Sequence, residues 1–302
     1  ATDHTTVEIN ITGTNDQPTI SGGPVIQTIQ ESGGNDDTGV QLIDSGTFSV
    51  EDLDLSNTVT AHSSFLDATG AIANPDIALA LNGVDFDAFF NVLPSPVITP
   101  GSTAADLDWS FDAGLQTFEF LAEGETLTLT YDVTVDDGDA TDHTTVEINI
   151  TGTNDAPTIT GGPVIKTIQE SAGLDQIGVQ LTDSGTFTVE DLDTSNIVNA
   201  HSTLNAAAGN ANLADPALNG VDFNSFFNVD PVPVIDAATN SAILTWTFDA
   251  DITTFEFLAD TETLTLTYDV TVDDGFGGSD LTTVEINITG TNDAPTITGG
   301  PV

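Results

Sequence analysis

Acidic and amide side chains recur at the ends of Thr- and Val-rich segments, and their types point to one kind of chemistry. Glu51-Asp52-Leu53-Asp54 and Asp136-Asp137-Gly138 each place two aspartates within three residues, and Thr14-Asn15-Asp16 adds an amide and another acid. The strings return as Glu190-Asp191-Leu192-Asp193, Asp273-Asp274-Gly275 and Thr153-Asn154-Asp155, the last a third time as Thr291-Asn292-Asp293. Oxygen-only donors suit Ca2+, which takes about 6–8 carboxylate, amide and carbonyl oxygens. Mg2+ prefers a tighter octahedron with retained water, and Zn2+ wants His or Cys. The competing reading is a set of solvated turn acids, since Asp and Asn favour turns and charge is screened over about 8 Å.

Catalytic chemistry finds no matching pattern, and no enzyme is expected. There is no HExxH, GxSxG, GxGxxG or P-loop. His4 and His143 are equivalent in two repeats, but Leu281 takes their place in the third; Lys166 has Gln27 as its counterpart. His62 and His201 agree, and are expected half-buried at a strand end. With 48 Asp and Glu residues, some acid pair will reach glycosidase spacing in any fold, so such a pair diagnoses nothing.

Those 48 acids face one cation, Lys166, and no Arg, for a formal net charge of −47. Nucleic-acid binding needs a basic stripe and is excluded; anionic membrane surfaces are excluded likewise. Acidity alone can mean disorder, but 38% of residues are hydrophobic and the charges stand singly between them. Zero Cys removes disulfides and thiol chemistry. No apolar run approaches the roughly 18 residues of a membrane span. Without Met or a basic-then-apolar leader, the chain reads as a piece of a longer one.

Positioning these acids is the task of a repeat. TTVEINITGTND occurs at 5–16, 144–155 and 282–293, LNGVDF at 81–86 and 218–223, and LTLTYDVTVDDG at 127–138 and 264–275. The expected organisation is a last strand and linker of a preceding module (1–16), one module at 17–155, a second at 156–293, and the start of another at 294–302. Between the copies, two residues are lost between 62 and 81 and one is gained after the DDG. Loops are expected at both places. Period-two alternation, as in Leu127, Leu129, Tyr131, Val133 and Val135, marks half-buried strands. No stretch carries a convincing helical period, and 62–106 is the least legible part. The expectation is an all-β chain of tandem β-sandwiches arranged end to end.

An up-and-down count through strands A (24–30), B (46–51), F (126–135) and G (144–151) sorts the acids by pole. The EDLD and DDG loops fall at the pole of the incoming linker, and Glu31 and Glu125 at the outgoing one. The middle junction then gathers Glu31, Glu125, Asn154, Asp155, Asp191, Asp193, Asp273 and Asp274. The earlier one holds Asn15, Asp16, Asp52, Asp54, Asp136 and Asp137, and repetition adds Glu262, Asn292 and Asp293. Two carboxylates 4 Å apart repel by about 4 kcal/mol at an effective dielectric of 20. With no basic side chain to answer this, Ca2+ is the expected counter-charge.

TYDVTVDDGFGGSDLTTVEINITGTNDAPTI at 267–297, IQES at 29–32 and GTFTVEDLD at 185–193 resemble the VCBS repeat family, found in tandem in very large bacterial surface adhesins of RTX type. GTNDAP at 152–157 and 290–295 is the most specific piece; GTNDQP at 13–18 departs at Gln17. The resemblance implies a cadherin-like or immunoglobulin-like sandwich with calcium at the junctions, in a secreted chain at the bacterial cell surface. It matches Asn154 and Asp155 to a cadherin-type linker, Asp191 and Asp193 to its Asp-x-Asp, and Glu170 to its early Glu. The expected function is a calcium-rigidified extender, monomeric, partnered by neighbouring repeats and projecting a distal binding region. The alternative is an adhesive module meeting glycan or another copy through 62–106 or the Phe-rich segments FDAFFNV (86–92) and FNSFFNV (223–229). Phe86, Phe89 and Phe90 fit no single strand face, so an exposed ring is expected there. Trp109 and Trp246 read as core, and Asn10, Asn149 and Asn287 as outward positions of strands.

Overall fold

The computed structural model describes residues 1–31, 41–114, 118–170, 179–236 and 239–295. They fall into two units. The first takes in the described residues up to 151 except 119–123; the second takes in those five and the residues from 152 onward.

In the first unit, alternation builds two four-stranded sheets. One orders β1 (Thr19–Ser21), β3 (Ile43–Glu51), β6 (Ala104–Asp112) and β5 (Phe90–Leu93) side by side. The other orders β2 (Val25–Gln30), β8 (Thr141–Thr151), β7 (Thr126–Asp136) and β4 (Thr60–Gly70). All neighbours are antiparallel except β2, which runs parallel to β8. The expected first strand, 24–30, is β2, and a short strand not expected from the sequence, β1, precedes it and joins the other sheet. The second unit repeats the plan. β9 (Thr158–Thr160), β11 (Gln180–Glu190), β14 (Ser241–Asp251) and β13 (Phe227–Asp230) form one sheet. β10 (Val164–Gln169), β16 (Ser279–Thr289), β15 (Thr263–Asp273) and β12 (Asn199–Gly209) form the other. The chain is a tandem of immunoglobulin-like β-sandwiches.

Inward residues of facing strands make each core. Leu127, Leu129, Tyr131, Val133 and Val135 are fully buried, as are Val146, Ile148 and Ile150. Trp109 and Trp246 are core residues, 2% and 0% exposed. Each lies over a glycine of the adjacent strand: Gly46 pairs with Trp109 and Gly185 with Trp246. A Cβ on Gly46 would come within 2.7 Å of the indole, so the glycine is what admits the ring.

The stretch 62–106 resolves into ordered pieces whose signals were local. β4 carries a register shift between Phe65 and Asp67, and β12 one between Leu204 and Ala206. Such a bulge inserts one residue and breaks the period of two. Contrary to the all-strand expectation, α1 spans Pro75–Ala80, with Pro75 in its first turn and the Asn74 side chain accepting from Asp76 N–H. Six residues are too few for a helical period to show. The two-residue length change falls between β4 and LNGVDF, the loop position expected.

Two side-chain expectations change. The Phe-rich segment bends because Phe86–Phe89 is a 3-10 turn running into β5, which is why no strand face fits its rings. Phe90 is 4% exposed and stacks on Tyr131 at 4.6 Å and Trp109 at 5.7 Å between centroids. Phe86 and Phe89 are half-buried. The Tyr131 hydroxyl donates to Phe86 O at 3.0 Å, and burial, with Asp87 nearby, raises its pKa well above the usual range. His62 and His201 are exposed rather than half-buried, because Ala61 and Ala200 take the inward positions.

Thr5–Thr12 has the sequence of Thr144–Thr151, yet takes no strand. In the two sandwiches this string pairs on one side with β7 or β15 and on the other with β2 or β10. Residues 5–12 have no such neighbours among the described residues, and Val7, Ile9 and Ile11 are 78%, 78% and 91% exposed.

The duplication also supplies an internal control for backbone strain. Thr261 adopts φ +75° where the first repeat has Gly124 at φ +83°. The left-handed region costs a residue with Cβ about 1–2 kcal/mol. Thr261→Gly is expected to raise stability by about 1 kcal/mol despite the added unfolded-state freedom; an unchanged or lowered urea midpoint would contradict this.

Candidate metal centre

In the second unit, three segments converge at the end of β11. The linker 152–157 brings Asn154 and Asp155, the turn after β11 brings Asp191 and Asp193, and the β15–β16 hairpin brings Asp274. Asp155 N–H donates to Asp193 Oδ2 at 3.0 Å, and Asp193 N–H donates to Asp191 Oδ1 at 2.9 Å. Asn154 Nδ2 donates to Asp274 Oδ2 at 3.0 Å. Asp155, Asp191, Asp193 and Asp274 are 0%, 2%, 0% and 3% exposed. Asp191 Oδ2 is buried with no hydrogen-bond partner among the described residues. Burial pushes the Asp191 carboxyl up to about 6, and Asp274 and Asp155 add to the rise against the hydrogen bond from Asp193.

The first unit repeats the pattern. Asp16 N–H donates to Asp54 Oδ2 at 2.8 Å, Asp54 N–H to Asp52 Oδ1 at 2.8 Å, and Asn15 Nδ2 to Asp137 Oδ2 at 2.9 Å. Asp52 is 1% exposed, and its Oδ2 has no hydrogen-bond partner among the described residues.

At the other end of the second unit stands a second group. Glu170, after β10, lies with Glu256 and Asp293 so that one carboxylate oxygen from each falls within 4.8 Å of the others. Thr291 donates to Glu170 Oε1 from its N–H and, at 2.7 Å, from its hydroxyl. Glu170 Oε2 and both Glu256 oxygens are buried without a hydrogen-bond partner among the described residues. Burial, then Asp293 and Glu170, raise the Glu256 pKa. The turn holding Glu256 is anchored by Phe255 and Leu258, 0% and 1% exposed. It also packs on Gly290, where a Cβ would meet Ala259 O at 2.4 Å.

Several of the remaining acids expected at the junctions also serve their own turns. Asp136 and Asp273 close their hairpins, accepting from Gly138 and Gly275 N–H at 2.7 Å. Glu262 accepts from Ala259 N–H at 3.0 Å, and Asn292 is exposed. Glu31, 3% exposed, and the half-buried Glu125 belong to the first unit, where Glu31 N–H donates to Thr151 O at 3.0 Å.

Sequence reasoning missed five contributors. Asn196 Nδ2 donates to Asp193 Oδ2 at 2.9 Å and to Asn154 Oδ1 at 3.3 Å; Asn57 donates to Asn15 in the first unit at 2.9 Å. Asp142 and Asp280 accept from Ile20 and Ile159 N–H at 3.0 and 2.9 Å, holding the incoming chain. Glu256 sits in TFEFLA, which occurs unchanged at 117–122 and 254–259. An acid kept between two Phe in both copies was the available signal.

Buried carboxylates this close are destabilising unless neutralised. Lys166, the one basic residue besides His, pairs with Asp183 at 3.4 Å and is not among these groups. The donors are all oxygen and several of those oxygens lack partners, so the residues fit Ca2+; the absence of His and Cys from the groups disfavours Zn2+.

No protein-family model and no curated protein sequence matches the chain. Similar solved structures include titin domains Z1Z2 in complex with telethonin, at 12% identity over 92% of this chain and 98% of that one, TM-score 0.31. Mouse cadherin-23 EC22-24 is 12% identical over 91% of this chain and 67% of that one, TM-score 0.35. Extracellular cadherin domains 1–4 of protocadherin gamma B7 are 16% identical over 91% of this chain, TM-score 0.32, and this chain covers 51% of their length. In each case the chain is similar to a run of tandem immunoglobulin-like or cadherin domains.

Proposed function

We propose that this chain is a calcium-rigidified extender segment of a large bacterial cell-surface adhesin. Its repeats would hold a distal ligand-binding region away from the cell, and the chain itself carries out no catalysis. Residues 1–16 would complete a preceding module as its last strand; of the expected start of a following module, 296–302 lie outside the described residues. The observation that carries the reading is the buried acid set of the second unit, with Asp191 Oδ2 lacking a partner beside Asp155, Asp193 and Asp274. Asn154, Asp155, Asp191 and Asp193 would hold Ca2+ at one end of a repeat, joined by Asp274; Glu170, Glu256 and Asp293 would hold it at the other. By repetition the first module would use Asn15, Asp16, Asp52, Asp54 and Asp137. The metal supplies positive charge that the side chains cannot. What the chain contributes is a set of main-chain N–H groups that orient Asp191, Asp193, Asp274 and Glu170, leaving other oxygens for the ion. The VCBS-like strings and the similarity to cadherin ectodomains support the same reading.

Calorimetric titration of the chelator-stripped chain with CaCl2 tests it. Saturable binding is expected, reduced in stoichiometry by Asp191→Ala and again by Glu170→Ala. Binding that neither substitution changes would sink the assignment of these residues.

A further inference from the structure

Four Asx-Gly pairs occur in the chain: Asn82-Gly83, Asp137-Gly138, Asn219-Gly220 and Asp274-Gly275. In each, attack of the glycine nitrogen on the preceding side-chain carbonyl carbon would close a cyclic imide. The fold treats the two kinds differently. Gly138 and Gly275 N–H donate to Asp136 and Asp273, as above, while Asp137 Oδ1 accepts from Asp139 and Ala140 N–H at 2.8 and 2.7 Å. Asp274 Oδ1 accepts from Phe276 and Gly278 N–H at 2.6 and 3.1 Å. Nucleophile and electrophile are both held in those hairpins.

The asparagine pairs sit in turns that are tied on either side and loose at the centre. Asn82 N–H donates to Leu79 O and Val84 N–H to Leu81 O, both at 3.1 Å; Asn219 and Val221 bond Pro216 and Leu218 alike, at 3.2 Å. Gly83 and Gly220 N–H, and the Asn82 and Asn219 side chains, have no hydrogen bond among the described residues, and all four residues are exposed. Both glycines have positive φ, +87° and +82°, and a Cβ on either would meet nothing within 4 Å. The central peptide can therefore rotate without displacing a neighbour, and the lack of a glycine side chain leaves its nitrogen open.

We propose that Asn82 and Asn219 are sites of non-enzymatic deamidation, one in each repeat. Gly83 N bonds to Asn82 Cγ, its proton passing to hydroxide, and the Cγ–Nδ2 bond breaks with loss of ammonia. Solvent water then opens the imide at either carbonyl, giving Asp or isoAsp. Each event adds a negative charge, and the isoAsp product at 82 inserts a methylene into the main chain four residues before Phe86, which opens the 3-10 turn and receives the Tyr131 hydroxyl.

The test ages the whole folded chain in mildly alkaline buffer, beside a sample in denaturant, and follows all four sites by peptide mass spectrometry with isoaspartyl methyl-labelling. Asn82 and Asn219 are expected to convert at similar rates, in proportion to hydroxide, and within about twofold of their denatured rates. Asp137 and Asp274, followed in parallel samples in mildly acidic buffer where the protonated carboxyl is the electrophile and water the leaving group, are expected to isomerise only in denaturant. Asn82 and Asn219 protected more than about twofold by folding would overturn the proposal, and so would Asp137 or Asp274 isomerising as fast in the folded chain as in denaturant. Asn82 and Asn219 lie outside the residues assigned to calcium, so their conversion tests this proposal separately from the calcium reading.

Discussion

Stripped of calcium at neutral pH, the chain should melt roughly 5–10 °C below its calcium-loaded form. A ligand at about 100 times its Kd stabilises the folded state by about 2.7 kcal/mol, and 1 kcal/mol moves the midpoint of a unit of this size by roughly 2–4 °C. Asp191→Asn makes the expectation specific. It keeps an oxygen to accept from Asp193 N–H but removes a buried charge beside Asp155 and Asp274. The chelated variant should therefore melt above the chelated parent, and its gain from calcium should shrink. Acidity gives the same contrast in another form. Because the folded Asp191 carboxyl is raised to about 6, the folded chelated state binds its proton more tightly than the unfolded chain does. Stability of that state is then lost as pH rises from about 4 to 6, by on the order of 3 kcal/mol. The calcium increment should grow over the same window. Thermal melts followed by circular dichroism measure both effects, and a calcium increment equal in parent and variant would contradict the assignment.

Gly185→Ala is expected to destabilise the second sandwich by about 1–3 kcal/mol, the usual cost of overpacking. A Cβ there would lie 2.8 Å from Trp246 ring atoms, closer than packed carbons approach, and Trp246 has no exposed surface through which to withdraw. Trp246→Ala removes the ring and should cost about 3–5 kcal/mol. The informative variant is the double one. Gly185→Ala with Trp246→Phe should cost less than Gly185→Ala and Trp246→Phe measured singly and summed, since the smaller ring relieves the clash. Urea denaturation supplies the three midpoints, and strict additivity would show that the contact is not what the glycine serves.

Strands with strict alternation were readable because period two survives wherever one face is packed and the other wet. β7, β8, β15 and β16 are of this kind. The end of β4 was not readable, because its bulge at Phe65 shifts the pattern and because edge positions such as Leu66, 55% exposed, need not be polar. α1 was invisible for its length, and the 3-10 turn at Phe86 disguised a core stack as an irregular aromatic run. Parity along the chain was enough to bring Asn154, Asp155, Asp191, Asp193 and Asp274 to one end of a sandwich. It could not distinguish Asp273, which turns the hairpin, from its neighbour Asp274, which faces the linker. Nor could it find Glu256, whose place depends on how Phe255 and Leu258 seat a turn in the core.

Small-angle X-ray scattering on the intact chain, with calcium and with chelator, bears most directly on the claim that calcium stiffens these repeats. A larger maximum dimension is expected in calcium, with a drop on chelation and recovery when calcium is restored. Profiles that superimpose in the two conditions would contradict it.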